Sequence, residues 1–236
     1  MHETTAEYKA ILETIYRTET RLAIGNMGPE NAYGEDVLIS METRAAIFGT
    51  GTPSVGDCVS AEINVEMLAP SATIPKQARL VPYVRLTDGT RCSEWIQKGV
   101  FYLDTREKKQ DGSGNDKLLL TGYDAMLKTE QDYPASDLSW PAKDIDAVRE
   151  IAAFIGVAVD SQTVSLINKG YKIQLPTDYS CREVLGYIAS MYAGCFVMSD
   201  VGKLRLVAMH RIPAETNCLI TSTSQPITIG GVRIRV

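Results

Sequence analysis

Residues 95–134, WIQKGVFYLDTREKKQDGSGNDKLLLTGYDAMLKTEQDYP, decide how the chain is read. Two apolar runs, GVFYLD and KLLLTGYD, flank the polar tip DGSGND, the pattern of two strands joined by a hairpin turn. The second run ends on Gly122, Tyr123 and Asp124, and AMLKTE follows with the look of a short helix. This corner reads as a structural junction. Gly122 is expected to let the chain turn sharply, Tyr123 to plug the contact between two units, and Asp124 to cap the helix.

Upstream of this stretch the signals are extended. DVLISMETRAAIFG (36–49) leads through the turn-rich GTPSVGD into CVSAEINVEML, where Val59, Ala61, Ile63 and Val65 alternate with polar partners. The run ARLVPYVRLTDGTRC holds an Asp-Gly turn at 88–89, and Pro82 inside it points to an edge strand or a bulge. The count comes to about six antiparallel strands, expected to close as a small barrel or sandwich.

Downstream the period changes. Ile145, Val148, Ile151, Ala152 and Ile155 share one helical face, which Gly156 ends. Ser180 with Glu183 three residues on forms a capping-box pattern, and Val184, Tyr187, Ile188 and Met191 form the following apolar stripe, ended by Gly194. A hairpin around 200–202 comes next, so this half is an α+β unit. The last run, VRIRV (232–236), puts Arg233 and Arg235 on one side of a strand and Val232, Ile234 and Val236 on the other. A sheet-forming run at this position is expected to pair with another subunit, or to continue into a longer protein. The two arginines are its interface candidates. The expected organisation is an N-terminal arm or short helix over 1–19, an antiparallel barrel over 20–125, an α+β domain over 126–215, and C-terminal strands over 216–236 that edge a further barrel.

Composition narrows the function. The chain has 236 residues, 44% of them apolar and 22% charged, the balance of a folded protein. Its formal charge of -5 disfavours bulk nucleic-acid binding, which uses a basic stripe. No apolar run reaches the roughly 18 residues of a membrane span, and the N-terminus lacks the apolar core of a signal peptide, so synthesis in the cytoplasm is expected. Five cysteines without a Cys-x-x-Cys spacing read as buried free thiols. There are two histidines, His2 and His210, and neither sits in a believable catalytic or zinc-binding pattern. Phosphate loops and dinucleotide fingerprints are absent from the sequence. Glu62, Glu66, Glu94, Asp104 and Asp124 lie in or beside strands, with nothing to pair any two across a cleft. No catalytic residue, cofactor or metal is therefore expected. The aromatics Tyr83, Trp95, Phe101, Tyr102 and Tyr123 read first as core. Trp95 and Tyr102 on an exposed face would make a platform for sugars, the alternative reading of a carbohydrate or cell-wall binding module.

Four successive blocks carry a resemblance: EINVEMLAPSATIPKQARLVPYVRL, EWIQKGVFYLDTREKK, LLLTGYDAMLKTEQDY and WPAKDIDAVREIAAFIGV. Together, over about residues 35–210, they resemble the baseplate hub proteins of phage and prophage tails, found in siphophages and myophages of Gram-positive hosts and, more distantly, in contractile tails. The sharpest parts are GVFYLD (99–104) and LTGYDAML (120–127). The resemblance implies a tail-tube-like barrel followed by a mixed α/β domain, in a homo-trimeric ring that mimics the six-fold tube. The partners it implies are the tail tube protein on one side and distal tail, spike or lysin proteins on the other, with DNA only passing through. It also implies assembly in the host cytoplasm and final residence in the virion tail. A subunit of a related tail-like injection particle fits the same pattern.

Overall fold

The computed structural model describes residues 4–49, 51–70, 73–110 and 116–209, together with the backbone pairing of Thr228, Ile229, Val232 and Arg233. After α1 (Ala6–Leu12), capped by the Thr5 hydroxyl, come seven strands of one antiparallel sheet. These are β1 (Arg17–Ile24), β2 (Leu38–Arg44), β3 (Glu62–Leu68), β4 (Arg79–Thr87), β5 (Ile96–Gln97), β6 (Phe101–Gln110) and β7 (Asp116–Asp124). Their order is β1-β4-β6-β7-β3-β2, with β5 also on β4. Alternation puts one face inward: Leu22 and Ile24, Ile63, Val65 and Met67, Leu80, Phe101 and Leu103, and Leu118 and Leu120 share one core.

The expected barrel is not there. The strand order is a line with β1 and β2 at its ends, and no ladder joins them, so the sheet is open. The reason lies in where the apolar pattern stops. Along β2 no residue is fully buried and only Leu38 and Met41 pack against the core, while β6 is exposed from Asp104 onward, so the far ends of these strands run past the core with no continuous apolar face to bury by closing. Among the described residues the one bridge on the far side of β1, Leu22 with Tyr33, touches that edge without linking it to β2.

Pro82 lies in an internal strand, at the point where β4 changes partner. β6 pairs with Arg79 and Leu80, and β5 with Tyr83 and Val84. Its carbonyl accepts from the Lys98 N–H at 2.9 Å, so its ring nitrogen faces the same gap, where no ladder donor is required.

A 3-10 helix (Ala125–Glu130) leads from β7 into the second core. There, α2 (Asp144–Phe154), α3 (Ser161–Leu166) and α4 (Cys181–Met191) pack with the hairpin β10 (Gly194–Met198) and β11 (Leu204–Ala208); the short pair β8 (Ala142–Lys143) and β9 (Lys172–Ile173) lies between. Ile145, Val148, Ile151, Ala152 and Ile155 are all buried, and the Ser180–Glu183 capping box is complete. Two residues assigned to the α4 stripe are not: Tyr187 is 58% exposed and Met191 42%. Gly194 does not end the helix either. Ala193 takes the left-handed position, and Gly194 opens β10, where a Cβ would lie 2.6 Å from the Val207 carbonyl oxygen.

Residues 54–58 join the two halves. Gly56 donates its N–H to Gly194 at 2.8 Å, Phe196 donates to Asp57 at 3.0 Å, and Cys58 sits in the helical core. The loop lies directly on α4 because neither contact residue has a side chain: a Cβ on Gly186 would stand 2.8 Å from the Gly56 carbonyl oxygen. Helix propensity alone makes Gly186→Ala stabilising by about 1 kcal/mol. The close approach reverses the sign, and the variant is expected to lose about 1–3 kcal/mol in urea unfolding. A stabilised variant would show that the loop yields freely.

Candidate functional site

The corner after β7 is built from three neighbours with different tasks. Gly122 does not turn the chain. It lies inside β7, between Leu103 on β6 and Ile63 on β3, and a Cβ there would stand 2.7 Å from the Tyr102 carbonyl oxygen. Its lack of a side chain lets β6 bulge between Leu103 and Thr105. Tyr123 is half-buried opposite Tyr102 and belongs to neither core; it lines a cleft of about 280 Å³ with Leu127 and Lys128. Asp124 is 5% exposed and holds two elements at once. One carboxylate oxygen accepts from Met126 N–H, capping the 3-10 helix, and the other accepts from Ala61 N–H, both at 3.0 Å. Its own N–H donates to Ala61 at 3.0 Å.

Arg182 completes this junction and was not singled out from sequence. From the first turn of α4 it donates to Ser60 Oγ at 3.2 Å and Met126 O at 3.1 Å, and it pairs with Glu130 at 2.9 Å. A cation in the first turn opposes the helix dipole, so its position called for specific partners; that signal was legible.

Trp95 and Tyr102 line two different clefts. Trp95 carries the guanidiniums of Arg21 and Arg85 at 4.7 and 4.4 Å from its ring centre, beside a cleft at the β1 edge. Tyr102 carries the Lys128 ammonium at 4.1 Å, beside the other cleft. Both rings are engaged by cations of the chain itself. Of the tail residues, Arg233 pairs through its backbone with Thr228, while Arg235, like His2, His210 and Cys218, lies outside the described residues. Cys58, Cys181 and Cys195 are buried free thiols, and Cys92 is exposed and free. Burial pushes the Cys58 thiol up to about 12, which makes it a poor nucleophile. Among the described residues no cluster of three or more histidine, cysteine or acidic side chains is placed to hold a metal, and no helix is long and apolar enough to cross a membrane.

No protein-family model matches the chain, and no curated protein sequence does. Solved structures do resemble it. The 43 kDa tail protein of prophage MuSo2 from Shewanella oneidensis superposes with a TM-score of 0.53 at 14% identity, over 86% of this chain and 59% of its own. The tail protein from Neisseria meningitidis MC58 follows at a TM-score of 0.48 and 13% identity, over 90% of this chain and 54% of its own. At these identities the first likeness establishes a shared fold, and the second, below 0.5, adds no argument. The chain spans less than two thirds of the length of either protein.

Burial is the main reason the Asp124 carboxyl is pushed up to about 6, against the opposing pull of its two N–H donors and the Arg182 charge. A carboxyl raised in the folded state contributes its full stability below its ordinary value, and that contribution declines as pH rises through about 6. The stability difference between wild type and Asp124→Asn, followed by urea unfolding, is therefore expected to shrink by about 3 kcal/mol from low pH to neutral. A difference independent of pH would mean that Asp124 titrates at its ordinary value.

Proposed function

We propose that the chain is a structural, non-catalytic subunit of a phage-type tail, specifically of a baseplate hub that joins the tail tube to distal tail proteins. The observation that carries this reading is the fold it shares with the MuSo2 prophage tail protein, which extends over 86% of the chain and therefore takes in both cores. The hub assignment within tails rests on the sequence blocks around 99–104 and 120–127. In this reading 20–125 and 126–215 are the two domains, 216–236 leads into a further one, and the neighbours are a tube protein, distal tail, spike or lysin proteins, and two more copies in a trimeric ring. Assembly takes place in the host cytoplasm and the product resides in the virion tail.

Two features suit that work. Among the described residues the sheet ends in two strand edges, β1 and β2, and edges without a ladder partner in the subunit are the natural sites for pairing between subunits. The junction is also stiff, with Asp124, Ala61 and Arg182 linking three elements, as load passing between two neighbours requires. Sugar binding through Trp95 and Tyr102 is disfavoured, since a cation already stacks on each ring.

The test is the mass of the full chain in solution, by light scattering behind a sizing column over a wide concentration range. A species of three 25.9 kDa subunits is expected. A monomer at every concentration would sink the ring.

A further inference from the structure

The hydrogen bonds fix which way each strand of the sheet turns its backbone groups. Asp124 donates to Ala61 at 3.0 Å and Leu68 donates to Val37 at 2.9 Å, so the odd-numbered residues of β3 face β7 and the even-numbered ones face β2. On β2 the partners of Glu62, Asn64 and Glu66 are Arg44, Glu42 and Ser40, which leaves Met41 and Thr43 turned outward. Carried across β7, the same phase turns Glu107 and Lys109 of β6 towards Leu119 and Lys117, and leaves Arg106, Lys108 and Gln110 outward. β4 pairs with β6 only at Phe101 and Tyr102. The chain passes the strand again at Arg106, whose guanidinium donates to Ile74 O, and residues 107–110 beyond it are exposed. Among the described residues, the outward N–H and C=O groups of Met41, Thr43, Lys108 and Gln110 have no backbone partner.

The faces of these two edges correspond as well. Met41 packs against the core of the sheet, so Glu42 and Arg44 lie on its outer face. Lys108 stands opposite Leu118, a core residue, so Glu107 and Lys109 lie on the outer face too. Each edge thus carries an exposed acid followed two residues on by a cation. Within each strand the two are ion-paired, Glu42 with Arg44 at 2.9 Å and Glu107 with Lys109 at 4.0 Å. Two such strands laid antiparallel match acid to cation twice. With Lys108 opposite Thr43, Glu107 meets Arg44, Lys109 meets Glu42, and Gln110 meets Met41. The charged pairs then fall at the non-hydrogen-bonded positions, where Cα atoms stand about 4.5 Å apart and side chains are closest. Sliding by two residues sets Glu107 against Glu42 in one direction and Lys109 against Arg44 in the other, so the charges select one register.

We propose that residues 107–110 of one copy pair antiparallel with residues 41–44 of the next, so that the sheet of each subunit continues into its neighbour. A contact between two different edges is head-to-tail, and repeated around an axis it closes a ring. Charges on an edge repel strands that lack their complement, so this edge accepts its partner and resists others. The inference rests on the hub reading for the number of copies and on these residues for the contact.

Exchange of charge order in the full chain tests it, with sedimentation equilibrium as the readout. Glu42→Arg with Arg44→Glu keeps the net charge and the ion pair within β2, yet sets like charges against each other across the junction. It is expected to weaken association at least about tenfold. Glu107→Lys with Lys109→Glu is expected to do the same, and all four substitutions together to restore association to within about threefold of wild type. Two copies of β2 pairing with each other, or two of β6, would still match acid to cation after either exchange. Oligomers that survive both exchanges therefore overturn the junction and leave the hub reading standing. A four-fold variant no tighter than either pair does the same. A wild-type chain that stays monomeric at all concentrations overturns both.

Discussion

The segment from Gly56 to Ile63 belongs to two cores at once, and the architecture depends on it. Its first residues run beside β10 and bury Cys58 among the helices. Three residues later Ala61 binds the Asp124 carboxylate, and Ile63 is already in the core of the sheet. A chain that passes this quickly from one apolar interior to another fixes the separation and orientation of both. Small residues make it feasible, because Gly56 and Gly186 bring backbone against backbone where any Cβ would hold the layers apart.

The junction around Asp124 is the polar counterpart of that seam. Its carboxylate is buried, and its two acceptor bonds go to elements on opposite sides, so neither unit can shift without orphaning a donor. Arg182 reaches it from a third direction and ties α4 to the same corner through Ser60, Met126 and Glu130. Electrostatics and packing therefore agree on where the molecule is stiff, while the sheet edges are left open.

Local features were the legible ones. The hairpin of β6 and β7, the Asp-Gly turn after β4, the α2 face and the capping box of α4 each depend on a few neighbouring residues, and each is where its pattern puts it, although the strand starts at Phe101 and residues 96–97 pair with β4 instead. Closure of the sheet was not legible, because alternation tells which face a strand buries and says nothing about whether its last edge finds a partner. Tyr187 and Met191 fit a helical stripe by spacing, yet the core stops at Val184 and Ile188, since the width of a stripe depends on what lies opposite. At the candidate site, Asp124 was readable as a cap from its position before AMLKTE. The reason for Gly122 was not, because the Tyr102 carbonyl that excludes a side chain comes from another strand. The surroundings of Trp95 and Tyr102 were hidden in the same way: the cations on their rings come from distant positions, Arg21, Arg85 and Lys128.

The seam also sets a timetable for synthesis. The Cys195 thiol donates to the Ser54 carbonyl across 141 residues, and the neighbouring backbone bonds of Gly56 and Asp57 span a similar length. At ordinary translation speeds the ribosome needs on the order of ten seconds to deliver that distance. During that interval β3 can find β2 and β7, while the loop ahead of it has no β10 to join. The nascent sheet must wait with one end unanchored, and the molecule acquires its stiffness in a late step, once Phe196 has left the exit tunnel.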